Sequence, residues 1–261
     1  MKSLSIAATG MLAQQANIDV IANNIANMNT SAYKRQRAGF QDLLYQNIRR
    51  VGAASSDAGT IVPSGVQLGT GVKTASVYRV TEQGNLTASG NPLDLAIKGE
   101  GYFRVTLPNG DDAYTRAGNF QLSPDGEIVT LDGLTVAPGI TVPAGAIDVS
   151  INSSGEVQVK LDGQIQPQTV GQIELTTFPN EAGLEAVGDN LALETPASGT
   201  ATSGNPGAAG FGSLQQGFLE TSNVDPVSEI TSMITAQRAY ELNSKVITTS
   251  DQMMSTVSQL R

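Results

Sequence analysis

The chain has 261 residues, enough for one large domain or two small ones. Its 15 basic and 24 acidic side chains leave a formal charge of −9, which argues against a nucleic-acid binder or a basic membrane-surface protein. Cysteine and histidine are both absent, which excludes disulfides, thiolate nucleophiles, Ser-His-Asp relays, HExxH metal sites and Cys-ligated metals.

Over the first 28 residues, Leu4, Ala8, Met11, Gln15, Ile18, Ala22 and Ile25 recur in alternating steps of four and three. A neighbouring stripe runs through Ala7, Gln14, Ile21 and Met28. The spacing predicts a helix with a broad apolar face, about 40 Å long if continuous. Its start superficially resembles a signal peptide, but Thr9, Gly10, Gln14 and Gln15 interrupt the apolar run. No small-residue cleavage site follows a proper apolar region, so the segment reads as uncleaved. No stretch approaches the roughly 18 apolar residues of a membrane span. Asn17, Asn23, Asn24, Asn27 and Asn29 are poor helix formers. They mark either a polar face and helix end, or hydrogen bonds across helices that fix register in an assembly.

Residues 31–50 are basic, with Lys34, Arg35, Arg37, Arg49 and Arg50 against Asp42 alone. They form either a docking patch between copies or a solvated linker. Residues 51–65 are small and Gly/Ser-rich and read as a loop, as do residues 196–212. Candidate strands follow at 72–80, 93–97, 102–107, 113–116, 127–130, 147–151, 156–161, 171–177 and 191–194. Turn signals separate many of them, such as Asn109-Gly110, Asp125-Gly126, Asp132-Gly133, Ser154-Gly155 and Asp162-Gly163. Short, regularly punctuated strands of this kind predict an all-β barrel or sandwich.

Asp225-Pro226 is a helix start, with Asp as N-cap and Pro at the first helical position. One seam then runs through Ala239, Leu242, Val246, Thr249, Met253, Val257 and Leu260. A second holds Ile230, Met233, Tyr240, Ile247 and Met254. The two terminal helices read either as ordinary helices packed on a core or as a coiled-coil-like pair that pairs with other copies, and their broad faces leave apolar surface for a partner.

Few motifs carry chemistry. Gly69-Thr70-Gly71-Val72-Lys73-Thr74 resembles a phosphate loop, but Val72 stands where Lys is required and a strand follows instead of a helix. Gly99-Glu100-Gly101 lacks the third glycine, because Arg104 takes its place. Asp111-Asp112 reads as a solvated turn. A pair of carboxylates acting on cell-wall glycans is the alternative from the enzyme class, but the acidic body offers too many candidates to select one.

Several segments resemble one family. Ala22-Asn23-Asn24-Ile25-Ala26-Asn27, Thr30 and Tyr33-Lys34-Arg35 resemble the N-terminal signature of bacterial flagellar axial proteins, the rod and hook subunits. Glu220-Thr221-Ser222-Asn223-Val224, Gln237-Arg238-Ala239-Tyr240-Glu241 and Asn243 resemble the C-terminal one. Asp94-Leu95-Ala96-Ile97-Lys98-Gly99 and Tyr114-Thr115-Arg116-Ala117-Gly118-Asn119 resemble the family's β-domain. The stretches around residues 43–46 and 63–72 fit the distal-rod branch. A proximal rod protein is the alternative within the family. Ala32 stands where the family commonly has Gly, which points to a different turn there.

The resemblance implies an α+β fold. It has a discontinuous, coiled-coil-like pair of N- and C-terminal helices (1–30 and 223–261), an extended connecting segment with a subtype-specific insertion (31–70), and an all-β outer domain (71–222). It implies a homo-oligomeric helical tube that transmits torque, with a central export channel and no catalytic site, metal or cofactor. The implied partners are proximal rod proteins, hook or hook-junction proteins, the surrounding P- and L-ring bushing proteins and the flagellar export apparatus. The implied place is the basal-body rod across the periplasm, reached without signal cleavage. No nucleic acid or transmembrane segment is expected. The candidate subunit-contact residues are Leu4, Met11, Ile18, Ile21, Asn24, Ile25, Asn27, Lys34, Arg35, Arg37, Ser64, Gln67, Arg238, Tyr240, Leu242, Asn243, Val246, Met253, Val257 and Leu260.

Overall fold

In the computed structural model, which describes residues 2–49, 64–164 and 166–259, both ends of the chain are helical. Helix α1 spans Lys2–Ala26 and α2 spans Pro226–Gln259. The expected cap is present, with the Val227 N–H donating to Asp225 Oδ1 at 3.1 Å. The helices run antiparallel, since Ser3 meets Ser250, Gly10 meets Asn243 and Asn24 meets Glu229. These contacts recur at heptad-compatible spacing on both helices, and they are small or polar rather than large and apolar. Small residues let the axes approach closely. A Cβ on Gly10 would lie 2.9 Å from Asn243 Nδ2.

The described residues of 36–79 form a two-stranded ribbon in the same unit as α1. Strand β1 (Gln36–Asp42) pairs antiparallel with β4 (Val72–Arg79), and β2 (Tyr45–Arg49) pairs with β3 (Val66–Gly69). The ribbon docks on α1 through the turn before β4. Gly71 has φ of +126°, and a Cβ there would overlap the Thr9 hydroxyl. The sequence reading treats 31–70 as an extended connector. The structure makes most of its described part a ribbon, because its strands find antiparallel partners farther along the chain.

The chain divides into two compact units, residues 1–26, 36–79 and 225–261, and residues 27–35 and 80–224. Because β4 pairs with β1, it falls with the helices, and the β unit begins at Val80 rather than at 71.

Within the β unit, β5 (Leu86–Ala88) pairs with Phe218–Glu220, and β6 (Leu95–Lys98) with Ser213–Gln216. Strands β7 (Tyr102–Thr106) and β8 (Asp112–Thr115) sit in a nine-stranded sheet. A separate three-stranded sheet joins Ala146–Ile151, Glu156–Leu161 and Gln168–Gln172. Buried strand residues, including Leu95, Ile97, Phe103, Val105, Val157, Val159 and Leu175, form the main core together with Phe120. Phe103 and Phe120 meet edge to face at 5.0 Å. Each such side chain contributes about 1.5–3 kcal/mol on burial. The glycines of the five expected turns take φ between +79° and +88°. The pairings are hairpins and open sheets, so the fold is α+β without a closed barrel. Ala32, expected to force a different turn, adopts φ of +57° and keeps the left-handed conformation. Its N–H is held by the Glu220 carbonyl at 2.8 Å.

Candidate interaction surface

The helical unit keeps its small and polar seam inside and turns large apolar side chains outward. Ala7, Ala13, Ile21, Asn24, Ala236 and Ser250 are buried, with Met233, Asn243, Ile247 and Met254 half-buried beside them. Of the two expected α2 seams, one is split: its Met233, Ile247 and Met254 are half-buried, whereas its Ile230 and Tyr240 are exposed. The other is open, with Leu242 66% and Met253 59% exposed and Val246 between them. Leu12 on α1 is also 66% exposed.

Among the other expected contact residues, Leu4, Met11, Ile18, Ile25 and Asn27 are half-buried. Arg37, Ser64, Gln67, Arg238 and Tyr240 are exposed. The Val257 side chain, Leu260 and residues 51–63 of the expected loop lie outside the described residues.

Asn24 joins three elements of this unit. Its Nδ2 donates to the Gln36 carbonyl at 2.8 Å and to Glu229 Oε2 at 3.2 Å, and its Oδ1 accepts the Gln36 N–H at 2.8 Å. The amide thus acts as a strand partner for the first residue of β1, while also fixing the register of the helix pair. The bond from Asn24 to Glu229 crosses between the two helices of one chain, whereas the expected role of the asparagines is between helices in an assembly.

In the β unit, the segments that lead toward the helices are clasped to each other. Lys34 Nζ donates to Glu220 Oε1 at 2.6 Å and to the Glu82 carbonyl at 2.9 Å. Arg116 Nε donates to Glu220 Oε2 at 2.7 Å, and its other nitrogens cap the carbonyls of Gly99 and Gly101. The Gly84 N–H adds a third donor to the Glu220 carboxylate. Next to it, Asn223 Oδ1 accepts the Arg35 N–H at 2.7 Å, and Asn223 Nδ2 donates to the carbonyls of Val80 and Glu82. Lys34 is therefore committed within the chain, its side chain only 9% exposed.

The electrostatics follow from this packing. Burial opposes the Glu220 charge, but Arg116 and Lys34 outweigh it and hold the carboxyl below the usual carboxylate range. Burial, reinforced by Arg116, pushes the Lys34 ammonium down against the pull of Glu220. Burial also pushes the Glu181 carboxyl up, opposed by Arg116. Two carboxyls with opposite shifts are what a hydrolytic acid–base pair needs. Glu220, however, is sealed: its side chain is 1% exposed and both oxygens are occupied by donors. Among the described residues, no group of three acidic side chains is placed to hold a metal, and no helix is long and apolar enough to cross a membrane.

Glu220, Asn223, Arg116 and Glu229 were missing from the expected contact residues. The available signal was a charge standing in a run of small or apolar residues, as Arg116 stands in Ala113-Tyr114-Thr115-Arg116-Ala117-Gly118.

The comparisons with known proteins fall on these same segments. Residues 4–34 match the flagella basal body rod protein family, residues 96–159 the flagellar hook protein FlgE/F/G D1 domain, and residues 215–260 the flagellar basal body rod FlgEFG protein C-terminal family. The chain is 64% identical to the flagellar basal-body rod protein FlgG of Caulobacter vibrioides, over the full length of both. The chain belongs to the flagellar basal-body rod protein family. In Bacillus subtilis it is 41% identical to FlgG, over 100% of this chain and 99% of that one. It is 28% identical to the flagellar hook-basal body complex protein FlhP of the same organism, over the full length of both. Each residue of the Lys34–Glu220–Arg116 clasp comes from a different matched segment, so the three segments are drawn together in one place in the fold.

Proposed function

We propose that this protein is a structural subunit that self-assembles into the tubular distal rod of the bacterial flagellum, a shaft that carries torque and leaves a central channel. The observation that carries this reading is the open α2 seam of Leu242, Val246 and Met253 on a helix pair already closed by its own small and polar seam. Such a pair has no further use for these side chains within the chain. Burying them against other copies supplies the drive for assembly.

The contacts between copies fall on Leu12, Arg238, Tyr240, Leu242, Val246 and Met253, with the ribbon residues Arg37, Ser64 and Gln67 beside them. Asn24 and Lys34 act inside the subunit, holding the shape that the polymer repeats. The full-length matches to FlgG, 64% identical in Caulobacter vibrioides and 41% in Bacillus subtilis, support the distal-rod reading. The location that follows is the basal-body rod, with neighbouring rod, hook and ring proteins as partners and the flagellar export apparatus as the route.

The test is negative-stain microscopy of the purified protein at high concentration. Straight tubes are expected. A protein that stays monomeric at every concentration and in the presence of basal bodies would overturn the assignment.

A further inference from the structure

Asn109 is followed by Gly110, and no other asparagine in the chain precedes a glycine. The pair lies in the turn between β7 and β8, and both residues are exposed. Backbone bonds close the turn. The Leu107 N–H donates to the Asp111 carbonyl and the Gly110 N–H to the Leu107 carbonyl, both at 2.9 Å. Gly110 takes φ of +88°, and a Cβ there would meet nothing within 4 Å.

The residue after the glycine grips the Asn109 side chain at both ends. Asn109 Oδ1 accepts the Asp111 N–H at 3.2 Å, and Asn109 Nδ2 donates to Asp111 Oδ2 at 2.7 Å. An asparagine bonded to the backbone two residues on folds its carboxamide back over the intervening peptide. Here that peptide supplies the Gly110 nitrogen, which no side chain shields. The Asp111 N–H also lies at the oxygen on which charge develops when the carboxamide carbon is attacked.

We infer that Asn109 is a modification site, the asparagine at which the folded chain deamidates. The Gly110 nitrogen leaves the Leu107 carbonyl, gives its proton to water and bonds to Asn109 Cγ. The Cγ–Nδ2 bond then breaks, and the nitrogen departs as ammonia once water has returned that proton. Water opens the resulting imide ring at either carbonyl, which leaves aspartate or isoaspartate. Placement of the two groups in one turn supplies the advantage. Other asparagines lack it. Asn91 and Asn205 precede prolines, whose nitrogen has no proton to lose. Asn152 precedes a serine, and its amide is locked by Ser154 and Glu156. Asn243 also precedes a serine and is fixed within α2. Either product at residue 109 adds a negative charge beside Asp111 and Asp112. Isoaspartate also lengthens the main chain next to the Thr106–Asp112 pair.

The test is peptide mass spectrometry of the full-length protein aged in mildly alkaline buffer. Isoaspartate is counted by methyl transfer from S-adenosylmethionine, using an isoaspartyl carboxyl methyltransferase as the probe. Conversion is expected first at Asn109, and faster as pH rises, because the attacking nitrogen must lose its proton. Gly110→Ala is expected to slow it about tenfold or more, since the added Cβ crowds that nitrogen. Asn109→Gln, whose side chain would have to close a larger ring, is expected to keep the parent melt and to take up no label at this peptide. Conversion that starts at another asparagine would overturn the inference. So would an Asn109 that stays intact in the folded chain while a urea-unfolded sample converts it, or a rate unchanged in Gly110→Ala.

Discussion

Asn24 binds Gln36 as a neighbouring strand would, donating to its carbonyl and accepting from its N–H, both at 2.8 Å. A helix side chain thereby serves the first residue of the ribbon, and the same amide reaches Glu229 on the other helix. The direction in which the ribbon leaves the helices and the register of the helices are set at one buried side chain.

Truncating it leaves the backbone groups of Gln36 and one oxygen of Glu229 without these partners. Asn24→Ala is expected to cost the helical unit about 2–3 kcal/mol. Amide exchange at Gln36 should rise in step. Asn24→Asp should be worse at neutral pH than in acid, because it sets a second carboxylate beside Glu229. Unchanged protection at Gln36 in the alanine variant would show that the amide is dispensable.

Ala32 holds a left-handed conformation at φ +57°, which disfavours any side chain with a Cβ. Ala32→Gly removes that strain, and the greater entropy of the unfolded glycine offsets part of the gain. The net effect expected on the β unit is a stabilisation of up to about 1 kcal/mol, read as a rise in melting temperature. A fall would mean that the Cβ makes a contact worth more than the strain.

These two positions show what the sequence could disclose. Helix α1 was legible from periodicity, because apolar residues on one side of a helix recur whether they face a partner in the chain or a neighbour outside it. For the same reason, periodicity could not tell which α2 seam closes the pair: Met233, Ile247 and Met254 recur as regularly as Leu242, Val246 and Met253. The small and polar contacts Gly10–Asn243 and Asn24–Glu229 settle it, and they carry no apolar signal at all. The ribbon strands β1 to β3 were illegible because much of their length is solvent-exposed and their partners lie far along the chain, which erases alternation. The core strands were read well, with Glu156–Leu161 found at its observed bounds, because one face is buried and a glycine turn marks each end.

Glu220 makes the β unit sensitive to acid. Its folded carboxyl ionises below its unfolded value, so the unfolded chain takes up the extra proton as pH falls. The stabilisation is complete above the ordinary carboxylate range and is lost as pH drops through and below it. Glu181, raised by burial, works in the opposite sense, and its cost is relieved on mild acidification. Glu220→Gln leaves Lys34 and Arg116 facing each other without an anion, an expected loss of about 3–5 kcal/mol at neutral pH. Urea unfolding followed from about pH 7 to about pH 3 should show a steep acid limb in the parent and a flat one in the variant. Parallel curves would place the acid sensitivity elsewhere.

The open α2 seam separates folding from assembly. Leu242→Asp adds a charge where the side chain is already 66% exposed, so the melt of the dilute chain should move by no more than the equivalent of about 0.5 kcal/mol. The same charge, buried between copies, has no counter-ion, and tubes should be lost under the microscope. Tubes of normal length from this variant would remove Leu242 from the interface.

The division of the chain also indicates where it can be cut. A fragment of residues 71–220 would keep Glu220 but lose Lys34, Ala32 and Asn223, which complete its clasp. The β unit needs residues 27–35 as well as 80–224. The Val80 N–H donates to the Arg35 carbonyl at 2.8 Å, so the two chain ends that the ribbon joins already lie side by side. Replacing residues 36–79 by Asn-Gly, which favours a two-residue hairpin turn, should close them without strain. Such a chain spanning 27–224 is expected to melt cooperatively and at a higher temperature than residues 80–224 alone. The difference should shrink when Lys34→Met is introduced, because the ion pair to Glu220 is what the added segment supplies, together with the Arg35 N–H bond to Asn223. Equal melting of the two fragments would show that the clasp adds nothing to the β unit and serves the assembled subunit alone.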